Sequence, residues 1–142
     1  MDISTELMDL DNGLFASNTF NDDELLKLSL QRLEERWDNL PDEKFQSQER
    51  AIPAMLFING YIQIKNFKKA YKWAEIMLSD RQDDLSDVGF TLGKIDFEAG
   101  NYESAYKNFT MAFQDSKGRV FQGKDPKYLE IIKHPDNLLK VK

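Results

Sequence analysis

The sequence predicts an all-α fold, a right-handed α-solenoid of antiparallel helix pairs with about six helices and a short C-terminal capping helix. Three observations carry this expectation. Apolar residues recur at helical spacing along most of the chain. Phe67 and its neighbours reappear at Tyr102, a shift of 35 residues, and periods of roughly that length belong to stacked helix-turn-helix units. No stretch shows the alternation of a half-buried strand, apart from short ambiguous runs such as Arg119-Val120-Phe121.

The elements follow in order. Residues 1–20 read as weakly structured: Ser4 to Leu10 supplies one or two helical turns, and Asp11-Asn12-Gly13 breaks them. Residues 21–50 read as a degenerate helical unit. Asn21 or Asp22 caps a helix from Asp23 to about Asn39, with Leu25, Leu26, Leu28, Leu30, Leu33 and Trp37 at helical spacing, and Pro41 ends it. Asp42 caps a second helix running toward Lys65, which Pro53 kinks or restarts. A third helix spans Phe67 to Leu78, followed by an aspartate-rich break. A fourth runs from about Leu85 to Glu98. Gly100 and Asn101 make a tight turn into a fifth, Tyr102 to about Asp115. After a loop to Lys124, Asp125 and Pro126 start a last helix ending near Lys133.

The repeat is the most informative feature. Asn66-Phe67-Lys68-Lys69-Ala70-Tyr71-Lys72 aligns with Asn101-Tyr102-Glu103-Ser104-Ala105-Tyr106-Lys107, and the asparagine, alanine, tyrosine and final lysine are identical. Small residues at Ala70 and Ala105 allow close helix approach, while Phe67 and Tyr102 fill the space beside each turn. In its second unit the pattern Leu92-Gly93, Gly100, Tyr102, Ala105, Phe109 and Ala112 resembles the tetratricopeptide repeat (TPR) family. The first unit keeps Phe57, Tyr61, Phe67 and Ala70 but departs at Asn59, at Lys65 in place of the turn glycine, and at Ala74; Asp96 departs in the second. The resemblance implies two repeats over residues 51–116, a degenerate preceding unit, and a loop and capping helix over 117–142, all in one domain.

Composition excludes several function classes. The chain has 142 residues, no cysteine and one histidine, His134, so disulfides, zinc-thiolate sites, iron–sulfur clusters and cysteine nucleophiles are out. The net charge is -6. Residues 1–50 hold 13 acidic and 5 basic side chains, whereas residues 101–142 hold 5 and 8. No dominant cationic surface suits nucleic acid, and an acidic half can steer a basic protein partner. No leader-like segment and no bilayer-length apolar run appear, so a cytoplasmic location without membrane attachment is expected.

Candidate chemistry is thin. Gly118 to Lys124 matches half of a phosphate loop, but Asp125 stands where Ser or Thr is needed and no strand precedes it. Asp80, Asp83, Asp84 and Asp87 lack the spacing of a calcium loop and suit a helix cap. His134 sits in a polar tail. No enzyme, metal or cofactor is expected. The resemblance instead implies a concave face lined by the first helices of the units, about 50–64 and 85–99. It points to Met55, Asn59, Ile62, Gln63, Phe90, Lys94, Phe97 and Glu98 as partner-binding, or as packing against neighbouring helices. The acidic N-terminal part, two repeats and Gly-rich tail to Asp125-Pro126-Lys127-Tyr128-Leu129 also look like small bacterial TPR-like immunity proteins of polymorphic toxin systems. That resemblance implies a protein that neutralises a toxin domain, and the acidic charge suits a basic one; a TPR adaptor or co-chaperone holding a peptide is the alternative, and a monomer or weak dimer is expected.

Overall fold

The computed structural model describes residues 3–19 and 22–136; the Asn21 alternative for the cap and the last residues of the tail region fall outside these. All regular structure among the described residues is helical, with seven α-helices. The chain divides into two compact units, Met1–Met77 and Leu78–Lys142.

The first unit holds α1 (Ser4–Asn18), α2 (Asp23–Asp38), two 3-10 turns (Asp42–Phe45 and Gln48–Arg50), α3 (Ala51–Gln63) and α4 (Phe67–Leu78). Two expectations are corrected here. The break at Asp11-Asn12-Gly13 does not occur, and the region read as weakly structured carries a 15-residue helix. Leu7, Leu10, Leu14 and Ser17 form a buried stripe. Burying each leucine is worth about 1.5–3 kcal/mol, against roughly 1 kcal/mol for a helical glycine. Gly13 is also useful, because a Cβ there would lie 2.9 Å from Leu33 Cδ2. The second correction concerns Asp42, which opens a 3-10 turn rather than an α-helix. The α-helix restarts at Ala51, with Pro53 third in line, where an absent N–H removes no helical bond.

Side chains close several other ends. Asp22 accepts from the Glu24 and Leu25 amides at the start of α2. At its end the buried Lys44 donates to the carbonyls of Trp37 (2.8 Å), Asp38 (3.4 Å) and Leu40 (3.1 Å). Arg50 donates to Ile76 O at 3.1 Å near the end of α4 and to Ser47 O at 2.8 Å. The core of this unit centres on Trp37, Phe57 and Trp73; Phe57 stacks on Trp73 at 4.0 Å, and Trp37 meets Trp73 edge-on at 5.1 Å.

The second unit holds α5 (Leu85–Glu98), α6 (Tyr102–Ser116), a 3-10 turn (Arg119–Phe121) and α7 (Pro126–Lys133). Its helices α5 and α6 approach closely at Gly89 and Gly93, where a Cβ would fall 2.5 Å from Asn108 O and 2.6 Å from Phe109 Cδ1. Phe90, Ala105, Phe109, Ala112, Phe121, Tyr128 and Ile131 form its core. Asp125 caps α7 by accepting from the Lys127 amide at 3.1 Å.

The sequence repeat has a backbone counterpart. Lys65 and Gly100 both take left-handed φ, +62° and +85°. The next amide closes the same bond in each unit: Asn66 to Tyr61 O and Asn101 to Asp96 O, both 2.8 Å. A polar network recurs at matching positions too. In the second unit Asp96 accepts from Ser104 Oγ (2.7 Å) and Asn108 Nδ2 (2.8 Å). In the first, the matching Tyr61, Lys69 and Trp73 all donate to Glu34 of α2. The carboxylate is thus supplied by a different helix in each unit.

Candidate functional site

The groups that look chemical in sequence are occupied structurally. Asp84 caps α5, accepting from the Asp87 amide at 3.1 Å. Arg81 pairs with Asp80 at 3.6 Å and with Asp87 at 3.3 Å. Gly118 to Lys124 contains a 3-10 turn, with Arg119 Nε donating to Ser116 O at 3.1 Å. His134 is exposed, 3.8 Å from Glu130.

Glu34 is the most enclosed carboxylate among the described residues of the first unit. It accepts from Tyr61 Oη (2.9 Å), Trp73 Nε1 (2.9 Å), Lys72 Nζ (2.9 Å) and Lys69 Nζ. Burial pushes its carboxyl upward, but the bonds from Lys69, Lys72, Trp73 and Tyr61 outweigh that and hold it at about 2. The Tyr61 hydroxyl is pushed above its usual range by burial and by the Glu34 charge. Every oxygen is committed inward, so the network holds α2, α3 and α4 together.

The eight sequence-predicted residues fall into two sets, one in each unit. On α5, Phe90 lies in the core, 5.8 Å from Tyr128 and 5.3 Å from Phe121. Phe97 is half-buried, edge-on to Tyr102 at 5.3 Å and to Tyr128 at 5.4 Å. Glu98 accepts from Tyr128 Oη at 3.0 Å and pairs with Lys127 at 2.6 Å. Burial, then the charge of Lys124, lowers the Lys94 ammonium below its ordinary value. This face of α5 is therefore packed against α7 and its preceding loop.

The α3 set is placed differently. Met55 and Gln63 are exposed, and Asn59 and Ile62 half-buried, along one stripe of the helix. Gln63 Nε2 donates to Asp23 at 3.3 Å. Sequence reasoning missed three companions, Ile52 on the same stripe and Met8 and Phe15 on α1. Met8 is 63% exposed, Phe15 65%, Ile52 55% and Met55 49%. The seven-residue spacing from Met8 to Phe15 was a usable signal, hidden by the expected break at Gly13.

Helices α1 and α3 run alongside each other in parallel. Leu7 and Met8 share a cleft with Ile52 and Pro53, while Asn18 Nδ2 donates to Leu56 O at 3.2 Å further along. Helix α1 carries Glu6, Asp9 and Asp11 and no basic residue, and α3 carries no Asp, Glu, Lys or Arg. The face is thus apolar with an exclusively acidic charge. A depression of about 800 Å³ near the α3–α4 turn balances Lys27, Lys65 and Lys68 against Asp23 and Glu24 and lacks this asymmetry. No protein family, curated protein or solved structure matches the chain.

Proposed function

We propose that this chain is a non-catalytic protein-binding domain that engages a basic partner through the exposed face of α1 and α3. The observation that carries it is the coincidence of four large exposed apolar side chains, Met8, Phe15, Ile52 and Met55, with acidic-only charge on those two helices. Exposed apolar residues grouped on one face mark interaction surfaces, and complementary charge speeds encounter with a basic partner. The recurring turn at Lys65 and Gly100 supports reading the helix pairs as TPR-like solenoid repeats. The narrower form of the proposal is an immunity protein that neutralises a toxin domain in the cytoplasm.

The test is co-expression with the product of the adjacent gene, scored by growth rescue and co-purification, for the parent chain and a Met8→Glu/Ile52→Glu variant. Both sites are exposed, so folding stability should change by no more than about 0.5 kcal/mol each. Rescue and complex formation that the double variant loses would support the proposal. A complex that the double variant retains at full strength would remove this face from it. Capture of short peptides from several proteins, with no toxin relieved, would favour the adaptor reading.

A further inference from the structure

We infer that the cleft between α1 and α3 is an anchor pocket for one arginine side chain of the partner, an inference that rests on the proposed binding face. The cleft measures about 150 Å³ and is lined by Leu7, Met8, Asp11, Glu49, Ile52 and Pro53. That is below the roughly 300–1,000 Å³ of small-molecule sites, and a volume of this order accepts a single benzene-sized group. It suits one long side chain entering from another protein.

The walls and the rim ask for different chemistry. Four of the six lining residues are apolar, and the other two are carboxylates from separate elements, Asp11 on α1 and Glu49 in the turn before α3. Asp11 Oδ1 is buried and accepts no hydrogen bond among the described residues. Arg50, next to Glu49 in sequence, donates to Ser47 O and Ile76 O. Two carboxylates beside apolar walls favour a cationic side chain with an apolar stem. Arginine meets both demands. Its aliphatic stem lies on apolar walls, and its planar, weakly hydrated guanidinium offers five donors that can span two carboxylates. Lysine presents a more strongly hydrated point charge, which suits these walls less well.

The probe is a short amphipathic helical peptide of leucine, alanine and arginine, titrated into the isotope-labelled full chain and followed by amide chemical shifts. Matched peptides replace arginine by lysine or by glutamine. The expected result is saturable shifts at Leu7, Met8 and Ile52, with affinity falling at least about tenfold for the lysine and glutamine peptides. Asp11→Asn/Glu49→Gln should bring the arginine peptide down to the glutamine level. Equal affinity for arginine and lysine peptides, or binding unaffected by Asp11→Asn/Glu49→Gln, would overturn the pocket. If such binding is still abolished by Met8→Glu/Ile52→Glu, the wider face survives. Absence of any shift along α1 and α3 would overturn both.

Discussion

Replacing Glu34 by glutamine tests how the first unit is held together. The carboxyl sits at about 2 against an ordinary 4.5. At 1.36 kcal/mol per pH unit that difference corresponds to about 3 kcal/mol of stability at neutral pH. Lys69 and Lys72 are 40% and 48% exposed, so solvent screening trims the figure to about 2–3 kcal/mol. Glutamine removes the charge and sets an amide N–H₂ against donors from Lys69, Lys72, Trp73 or Tyr61, which adds to the loss. Glu34→Gln should therefore cost about 2–4 kcal/mol near neutral pH. A group whose folded value is depressed stabilises fully above its unfolded value and loses that contribution as pH falls through the folded one. The gap between parent and variant should thus be widest above 4.5 and should narrow as pH falls toward about 2. Both tryptophans, Trp37 and Trp73, belong to this unit, so urea unfolding followed by their fluorescence reads the relevant transition. Comparing parent with variant at each pH cancels the other carboxylates. A variant within about 0.5 kcal/mol of the parent at neutral pH, or a gap that stays constant on acidification, would refute the reasoning.

Two further substitutions probe the repeat. Lys65→Gly should stabilise the first unit by about 0.5–1 kcal/mol, because the lysine holds φ at +62° where a side chain costs roughly 1–2 kcal/mol and glycine loses only part of that to entropy; an unchanged or lower urea midpoint would contradict this. Gly93→Ala should destabilise the second unit by about 1–3 kcal/mol through overpacking, since the new Cβ falls 2.6 Å from the buried Phe109 ring. Its effect should appear in near-ultraviolet circular dichroism of the tyrosine and phenylalanine bands while the tryptophan fluorescence transition holds.

Where periodicity and punctuation agreed, the sequence was legible to the residue. Helix α4 falls on Phe67–Leu78 and α5 on Leu85–Glu98 as read, and Asp22, Asp84 and Asp125 cap the helices they precede. Tyr128 and Ile131 of α7 are buried in the second core. Local signals failed where tertiary burial overrode them, as at Gly13, whose neighbours Leu10 and Leu14 bury completely. That single misreading hid Met8 and Phe15, two of the four exposed apolar residues on α1 and α3. For the α5 stripe the sequence left two readings open, partner-binding or packing against a neighbouring helix. Phe90 and Phe97 have the spacing of a surface groove, but spacing cannot tell solvent from a later helix, and α7 supplies Tyr128 against both.

The same buried network bears on how the proposed face would bind. Glu34 ties α2 to α3 through Tyr61 and to α4 through Trp73, Lys69 and Lys72. Asn18 ties α1 to α3, and Leu30 and Leu33 of α2 pack closely against Gly60 of α3 and Gly13 of α1. The backbones that carry Met8, Ile52 and Met55 are therefore fixed relative to one another before any partner arrives. Binding then orders only a few exposed side chains, at about 0.5–1.5 kcal/mol each, rather than a segment of chain. On this reasoning a change at Glu34 that loosens the helices should weaken partner binding without touching the surface, whereas Met8→Glu/Ile52→Glu should weaken it with the urea midpoint unmoved. Stability and affinity separate the two effects, and a surface that tolerated the loss of the Glu34 network with undiminished affinity would not be the preorganised platform described.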